Sequence, residues 1–441
     1  MKEFDAIVIG GGILGCFTAR NLRRWNISVL LLEQEDDICK GITRANSAII
    51  YPGYDNKPGS LKASMTVRGN RTMDSLCAEL EVPFSRCGSL LVTYEESAIA
   101  KLEKKLRDGQ ANGVPGLQLL DGSAAKTMEP MLKPGVAAAL YAPGTGTVNP
   151  WQLGIAAFEN ALQNGAAALM NEAVSAIRKS QGGYIVETNR ETYACRSVFN
   201  CAGLSADRVQ EMAFPPSVRL ELDSAEYLVL DQLAEKPGRI IFHQAEGSEK
   251  GITAVPCVEG NLLIAGVRRD MAVPFATTRE GLEELRHATL DLLPTADLSQ
   301  VIRSFGAVRP NPRMANGKNL HDFCIENPAP GFYSLLGIKT PGLTCANELG
   351  LYLAEKAAAY LEATVNPDFD PHRKAIRTED DEIICQCEQI TKSAILEAIR
   401  RGAVTADGVK RRVGSGTGRC QGSRCRWKIE QLLEDAAHGN L

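Results

Sequence analysis

Four cysteines near the end of the chain have the residue type and spacing of metal ligands. Cys385 and Cys387 form a C-x-C pair, and Cys420 and Cys425 form a C-x4-C pair that begins 33 residues after Cys387. Four thiolates in two close pairs, separated by a helix-forming stretch over 392–400, can enclose a small metal centre. Zinc sites usually have a wider C-x-x-C spacing, so three alternatives stand: an iron–sulfur centre, a zinc site or no metal.

The remaining nine of the 13 cysteines have a different distribution. They are scattered over the first 345 residues, mostly beside apolar neighbours, which is typical of small buried core residues. The odd total, in a chain without a recognisable secretion signal, argues against a disulfide framework. These nine are Cys16, Cys39, Cys77, Cys87, Cys195, Cys201, Cys257, Cys324 and Cys345.

A glycine-rich turn near the start of the chain has the pattern of a dinucleotide site. An apolar run over 5–9 leads into Gly10, Gly12 and Gly15, a helix-like stretch follows, and a second apolar run ends at Glu33. Gly10 permits the turn, Gly12 lets the backbone approach a pyrophosphate, and Gly15 lets helix and strand pack closely. Glu33, 18 residues beyond Gly15, can accept a hydrogen bond from a ribose hydroxyl.

The glycine turn is the first of several ordered blocks that together resemble one family. The others are 41–55 (GITRANSAIIYPGYD), 57–63, 200–207, 256–262, 305–310 and 337–344. With Glu33 they resemble the FAD-dependent D-amino-acid oxidase and glycerol-3-phosphate dehydrogenase superfamily, in particular its L-2-hydroxyglutarate oxidase branch, over about residues 4–365. The resemblance implies FAD rather than NAD, and oxidation by hydride transfer from a substrate carbon to the flavin.

The resemblance also implies which residues contact the cofactor. Hydroxyl and amide side chains suit a pyrophosphate, and a helix that begins near Leu343 would direct its positive end at the flavin. The predicted cofactor-binding residues are Gly10, Gly12, Gly15, Glu33, Thr43, Asn46, Ser47, Val174, Gly203, Gly337, Gly342, Leu343 and Thr344.

Three residues are the candidates for substrate chemistry. Arg309 is placed to hold a carboxylate or phosphate through two parallel hydrogen bonds, with a structural ion pair as the alternative. Lys339 can add positive charge near the flavin, and Tyr51 stands where many relatives have a histidine. The family residues are also replaced at Cys257 and Glu259, so the general base is left unassigned.

The C-terminal cysteine pattern resembles a second family. C-x-C followed at a distance by C-x4-C is similar to the [2Fe-2S] domain of bacterioferritin-associated ferredoxin, in the version fused to the anaerobic glycerol-3-phosphate dehydrogenase large subunit. Residues 385–441 carry a net charge of +4, against −8 for the rest of the chain. We interpret the basic residues either as compensation for a negatively charged cluster or as a docking surface for an acidic redox partner. They are Lys410, Arg411, Arg412, Arg419, Arg424, Arg426 and Lys428.

These motifs require an α/β fold with three parts. We predict a discontinuous Rossmann-like FAD domain (1–83, 151–214 and 321–365) and an interleaved mixed-sheet substrate domain (84–150 and 215–320). A linker (366–382) and a small [2Fe-2S] domain (383–441) follow. The length of 441 residues suits two to four domains.

Composition limits the partners. With 44% hydrophobic and 23% charged residues the chain is typical of a globular protein, and its net charge of −4 offers no broad positive field for nucleic acid. No apolar run is long enough for a transmembrane segment. We therefore expect a cytoplasmic protein, with any membrane association supplied by a partner.

The expected function is that of an FAD-dependent dehydrogenase. It would oxidise a small anionic substrate, glycerol 3-phosphate or a 2-hydroxy acid, and pass electrons through the cluster to a redox partner subunit or acceptor protein. Two alternatives are oxidation of an amino or imino acid, and a non-catalytic electron-transfer subunit of a flavoprotein complex.

Overall fold

The computed structural model describes residues 1–245, 251–269, 273–374, 376, 379 and 381–439. Its strands are β1 (Lys2–Ile9), β2 (Val29–Leu32), β3 (Ile49–Ile50), β4 (Phe84–Ser85), β5 (Ser89–Thr93), β6 (Gln118–Asp121), β7 (Ala138–Ala142), β8 (Gly146–Val148), β9 (Ala167–Leu169), β10 (Val174–Ser180), β11 (Gly183–Thr188), β12 (Thr192–Asn200), β13 (Val218–Gln232), β14 (Ile240–His243), β15 (Thr253–Pro256), β16 (Asn261–Arg269), β17 (Val301–Met314), β18 (Cys324–Ala329), β19 (Phe332–Leu336), β20 (Ile383–Cys385) and β21 (Ile390–Thr391). Its α-helices are α1 (Ile13–Leu22), α2 (Leu61–Leu80), α3 (Ile99–Ala111), α4 (Gly122–Met128), α5 (Pro150–Gln163), α6 (Ala206–Glu211), α7 (Arg279–Leu292), α8 (Gly342–Leu361), α9 (Lys392–Arg400), α10 (Ala406–Val413) and α11 (Arg426–Ala437).

The first sheet is assembled from distant parts of the chain. Its main order is β10-β11-β12-β1-β2-β9, and β19 joins it beside β12 with β18 as its neighbour. β1 pairs in parallel with β12 and β2, and β12 pairs in parallel with β19. Parallel strands are usually buried on both faces, and β2 is buried at all four positions. Helices α1, α5 and α8 pack together on this sheet around one apolar cluster.

The second sheet has eight strands in the order β17-β13-β16-β15-β14-β5-β7-β6. Its long central pair, β13 and β17, runs antiparallel from Val218 opposite Met314 to Leu230 opposite Val301. The same interval also holds the helices α3, α4 and α7, which the alternating apolar pattern had not indicated. The two sheets thus use alternating stretches of the chain, which confirms the predicted α/β class with an interleaved second sheet.

The C-terminal unit begins at β20 and contains a small hairpin and three short helices. Its apolar core includes Ile384, Ile395, Val409 and Ile429. The predicted linker 366–382 forms no helix or strand in its described residues, and residues 375, 377, 378 and 380 of it lie outside the described part. Arg373 in this segment forms an ion pair with Glu159 on α5, so the described part of the segment is held against the first sheet.

Candidate functional site

The glycine turn between β1 and α1 has the shape that the sequence predicted. Gly10 has a φ of +98°, a conformation that suits glycine. A Cβ atom at Gly15 would overlap the carbonyl oxygen of Gly10, so the helix lies too close to the strand end for any larger residue. Gly12 is the N-cap of α1 and gives the helix no side-chain cap. The turn can therefore bring backbone N–H groups and the positive helix end to a phosphate.

Glu33 and Thr43 are the polar side chains nearest this turn. The carboxylate of Glu33 accepts hydrogen bonds from the N–H groups of Gly11 (2.6 Å) and Glu35 (2.9 Å), and burial raises the pKa of this carboxyl. The hydroxyl of Thr43 accepts from Ile13 N–H (3.0 Å), one of the first donors of α1. Both side chains thus lie where a dinucleotide would contact the turn.

One cavity of about 700 Å³ connects the turn with the second sheet. Thirteen of the sixteen predicted cofactor and substrate residues line it: Gly10, Gly12, Glu33, Thr43, Asn46, Ser47, Tyr51, Val174, Gly203, Arg309, Lys339, Gly342 and Leu343. Gly15, Gly337 and Thr344 do not line it. Gly15 packs against the backbone of Gly10, and Gly337 packs against the ring of Pro312. The hydroxyl of Thr344 accepts from Tyr51 N–H (2.9 Å).

The end of the cavity at the second sheet carries the candidate substrate residues. Arg309 on β17 donates to Asp223 on β13 (Nη2 to Oδ2, 3.1 Å), so the structural ion pair considered above is present while Arg309 also lines the cavity. Lys339 donates to the side chain of Asn311 (3.0 Å), which lies two residues beyond Arg309 on the same strand. Two cationic side chains from different elements are therefore held at this end.

Aromatic side chains line the same end. Tyr51 stacks on Phe242 with ring centroids 6.0 Å apart, and the guanidinium of Arg44 lies 4.9 Å from the centroid of Phe275. Sequence reasoning did not identify Asp223, Phe242 or Phe275 as cavity residues. Alternation along β13 could have placed Asp223 on one face of the sheet, but its pairing with Arg309 depends on a register across 86 residues.

Neither His243 nor His321 lines this cavity. His243 lies edge-on to Tyr94, with ring centroids 5.8 Å apart, and burial lowers its pKa. His321 is exposed. Neither histidine is therefore placed to act as a general base on a substrate in this cavity.

The four C-terminal cysteines lie together in the last domain as two neighbouring pairs. Cys385 and Cys425 are each 1% exposed, whereas Cys387 is exposed and Cys420 is half-buried. Burial and the adjacent Cys385 thiol raise the pKa of Cys425 to about 12. Burial acts in the same direction on Cys420, but hydrogen bonds from the backbone N–H groups of Arg424 and Gly422 outweigh it and lower the pKa of Cys420.

Four thiols in one place are the donor set that a [2Fe-2S] cluster requires. Within the described residues, no group of three or more Cys, His, Asp or Glu side chains has the spacing of a closed metal site. The backbone N–H of Gly416 points at the Cys385 sulfur (3.5 Å). The donor chemistry fits a thiolate-bound centre, with one pair of ligands in the domain core and the other at its surface.

Two of the basic residues near the cysteines have a different position from the one expected. Arg411 and Arg412 are buried, and both bind the carboxylate of Asp37, which follows β2 (Arg411 Nη2 to Oδ2, 2.7 Å; Arg412 Nη1 to Oδ2, 2.7 Å). Arg411 also donates to the carbonyl of Ile38. These arginines therefore attach the C-terminal domain to the first sheet and belong to no exposed docking surface.

Two family models match the chain. The model described as "FAD dependent oxidoreductase" matches residues 5–356, and the one described as "BFD-like [2Fe-2S] binding domain" matches residues 383–435. The first covers well over half of the chain, so the chain belongs to the FAD-dependent oxidoreductase family and carries a BFD-like [2Fe-2S] domain behind it.

Relatives with similar sequences agree with this assignment. The glycerol 3-phosphate dehydrogenase of Caloramator mitchellensis is 36% identical over 457 residues, covering 98% of this chain and 94% of that protein. The glycerol 3-phosphate oxidase of Mycoplasma pneumoniae is 26% identical and covers 78% of this chain and 92% of that protein. Human mitochondrial L-2-hydroxyglutarate dehydrogenase is 32% identical over 52% of each chain.

Solved structures show the same fold. The L-α-glycerophosphate oxidase of Mycoplasma pneumoniae with FAD bound has a TM-score of 0.79 at 24% identity, covering 86% of this chain and all of that chain. Glycine oxidase of Geobacillus kaustophilus has a TM-score of 0.72 at 21% identity, covering 85% of this chain and all of that chain.

The protein is thus an FAD-dependent oxidoreductase with a [2Fe-2S] centre, which confirms the predicted class and both predicted cofactors. The glycine turn and the cavity would hold FAD, and the four thiols would hold the cluster. In the part of the chain that the structure describes, no helix is both long and apolar enough to cross a bilayer.

Proposed function

We propose that this protein is a dehydrogenase that oxidises the secondary alcohol of glycerol 3-phosphate and passes the electrons through its [2Fe-2S] centre to a partner. The observation that carries the proposal is the 36% identity to a glycerol 3-phosphate dehydrogenase across both the FAD-dependent part and the C-terminal domain. A 2-hydroxy acid is the second candidate substrate, because the L-2-hydroxyglutarate dehydrogenase match covers about half of the chain.

The cationic end of the cavity supports an anionic substrate. Arg309 and Lys339 line it from different elements, and a guanidinium suits a phosphate or carboxylate. Asp223 fixes the direction of the Arg309 side chain through one nitrogen, Nη2. This contact orients the guanidinium before substrate arrives, so less side-chain conformational entropy is lost when substrate binds.

The cofactor, when bound, supplies the acceptor for the hydride, and the chain supplies its position. Helix α8 begins at Gly342 with no side-chain cap, and its first residues, Gly342 and Leu343, line the cavity. The positive end of this 20-residue helix favours negative charge at that point, as arises when a flavin is reduced. The stacked rings of Tyr51 and Phe242 give the same end an apolar wall.

Anaerobic mixing with a substrate panel tests the proposal. Glycerol 3-phosphate should bleach the flavin absorbance, whereas amino acids should leave it unchanged. Bleaching by 2-hydroxy acids alone would move the assignment to the second candidate substrate. Bleaching by amino or imino acids alone, or by no compound of the panel, would refute the proposal.

Substitution of Arg309 tests the anchor separately. Arg309→Ala should raise the half-saturating substrate concentration by about 30-fold or more, as expected for loss of one partner of a desolvated charge pair. Arg313→Ala is the matched control, because Arg313 lies on the same strand, forms an ion pair with Glu221 (2.6 Å) and does not line the cavity. Equal effects of the two substitutions would contradict the role of Arg309.

A further inference from the structure

The outer edge of the cysteine site faces solvent. Cys385 and Cys425 lie in the apolar core of the last domain, but Cys387 is exposed and Cys420 is half-buried. A centre held by these four thiolates would therefore have its Cys387 and Cys420 side at the surface. Electron transfer between proteins requires close approach of the two centres, so this edge is the natural exit for electrons.

The exposed charge beside this edge is positive. Arg419 precedes Cys420 and Arg424 precedes Cys425, and both arginines are exposed. In the described part of the chain their side chains form no ion pair or hydrogen bond. Arg426 is also exposed, and Glu430 on the same helix compensates its charge.

The acidic side chain closest in sequence to the outer pair lies beside the backbone that leads to Cys420. Glu388 follows Cys387 and is half-buried. One of its carboxylate oxygens lies against Gly418, where an added Cβ atom would overlap it. This edge therefore includes one half-buried carboxylate beside Gly418, while the side chains of Arg419 and Arg424 are exposed.

An exposed aromatic side chain follows these arginines closely in the sequence. Trp427 is 59% exposed, lies two residues beyond Cys425, and the ammonium of Lys428 is 5.8 Å from its ring centroid. Tryptophan and arginine are the residue types enriched where protein interfaces concentrate their binding energy. We define Arg419, Arg424 and Trp427 as the exit surface.

The rest of the chain has a net charge of the opposite sign. Residues 1–384 carry a net charge of −8 and residues 385–441 carry +4. Arg411 and Arg412 are buried on Asp37, and with these three residues set aside the two parts carry −7 and +2. An acidic protein is repelled by the larger part and attracted to the exposed guanidinium groups of Arg419 and Arg424, so the charge distribution orients its approach.

We infer that the exit surface docks an acidic one-electron carrier protein, which removes electrons from the cluster. The inference rests on the proposed function and names the partner by its chemistry. In each encounter the reduced cluster loses one electron and the redox centre of the carrier gains it. Two encounters remove the two electrons that one substrate molecule supplies.

Two carrier proteins of opposite charge serve as probes with the holoprotein. Plastocyanin is an acidic one-electron copper protein, and mitochondrial cytochrome c is a basic one-electron haem protein. With the flavin kept reduced by substrate, plastocyanin reduction should be faster and should slow as salt is added. Arg424→Glu and Arg419→Glu should each lower its second-order rate by about fivefold or more at low ionic strength. Trp427→Ala should lower the same rate without changing the slope of its salt dependence.

Arg190→Glu is the matched control, because Arg190 is exposed, lies between β11 and β12, and gives the same change in net charge. It should leave the plastocyanin rate unchanged within about twofold. Bleaching of the flavin by substrate without carrier should be the same in all variants, and its absence would refute the proposed function rather than this inference. Normal bleaching with equal rates for Arg424→Glu and Arg190→Glu, or faster reduction of cytochrome c than of plastocyanin, would overturn the inference.

Discussion

Substitution of Asp37 by asparagine should loosen the C-terminal domain from the first sheet. The side chain of Asp37 is 4% exposed, and those of Arg411 and Arg412 are 3% and 1% exposed. The carboxylate of Asp37 accepts three hydrogen bonds from these two guanidinium groups, at 2.7, 2.7 and 3.0 Å. Asparagine keeps the size but removes the charge, so buried Arg412 loses its counter-ion and buried Arg411 keeps only Asp407, at 3.3 Å.

The expected cost follows from this geometry. Breaking a buried ion pair by removing one partner costs about 3 to 5 kcal/mol, because the remaining charge is buried and uncompensated. At about 1.4 kcal/mol for each factor of ten, the docked arrangement should weaken by roughly two to three and a half powers of ten. In the holoprotein this should appear as faster proteolysis within 366–382 and as a lower free energy of unfolding.

Asp36→Asn is the matched control for this prediction. Asp36 forms an ion pair with Lys40, and the two side chains are 33% and 23% exposed. Surface pairs contribute about 0 to 1 kcal/mol, so the control should resemble the unmodified protein. Arg412→Met should also cost less in the Asp37→Asn background than alone, with a coupling energy of about 0.5 to 3 kcal/mol. A change below about 0.5 kcal/mol for Asp37→Asn would refute the reasoning, since it would show that the buried contact is not maintained.

Three further predictions concern the same protein. Gly15→Ala should abolish FAD retention on gel filtration because its Cβ would overlap Gly10. Gly182→Ala, between β10 and β11, meets no atom within 4 Å, does not line the cavity and should retain FAD; equal retention would contradict the packing role. Cys420→Ser should lower iron and acid-labile sulfide content, whereas Cys87→Ser, outside the last domain, should not; stoichiometric zinc in the unmodified protein would contradict the cluster. The unmodified protein should exceed Asp37→Asn in stability by the full amount above about pH 4 to 5, and this difference should shrink as the pH falls. The reason is that burial raises the pKa of Asp37, but Arg412 and Arg411 outweigh burial and hold this pKa below 3.8 in the folded state. A pH-independent difference in urea unfolding would contradict this last prediction.

Contacts between residues close in the chain were predictable from the sequence. The spacing of Gly10, Gly12 and Gly15 indicated a strand, a turn and a helix, because local sterics alone require glycine there. The stretch 392–400 was predicted as a helix and forms α9, Lys392–Arg400. Short-range spacing also placed the four cysteines in one domain.

Contacts across long separations were not predictable. Asp37 and Arg411 are 374 residues apart, and neither residue type indicates burial by itself. Arg411 and Arg412 lie near the cysteines in sequence, and for this reason we grouped them with the exposed basic residues. The structure shows that this grouping was wrong, because both arginines are buried. Asp223 was not predicted as a cavity residue, because only the register of β13 against β17 places it beside Arg309.

The central claim is that substrate electrons pass from the flavin to the cluster within this chain. Anaerobic rapid mixing with glycerol 3-phosphate, followed by flavin absorbance and by electron paramagnetic resonance of frozen samples, measures both centres. We expect loss of flavin absorbance and then the signal of a reduced [2Fe-2S] cluster. A flavin that is reduced while the cluster remains oxidised and silent would contradict the account.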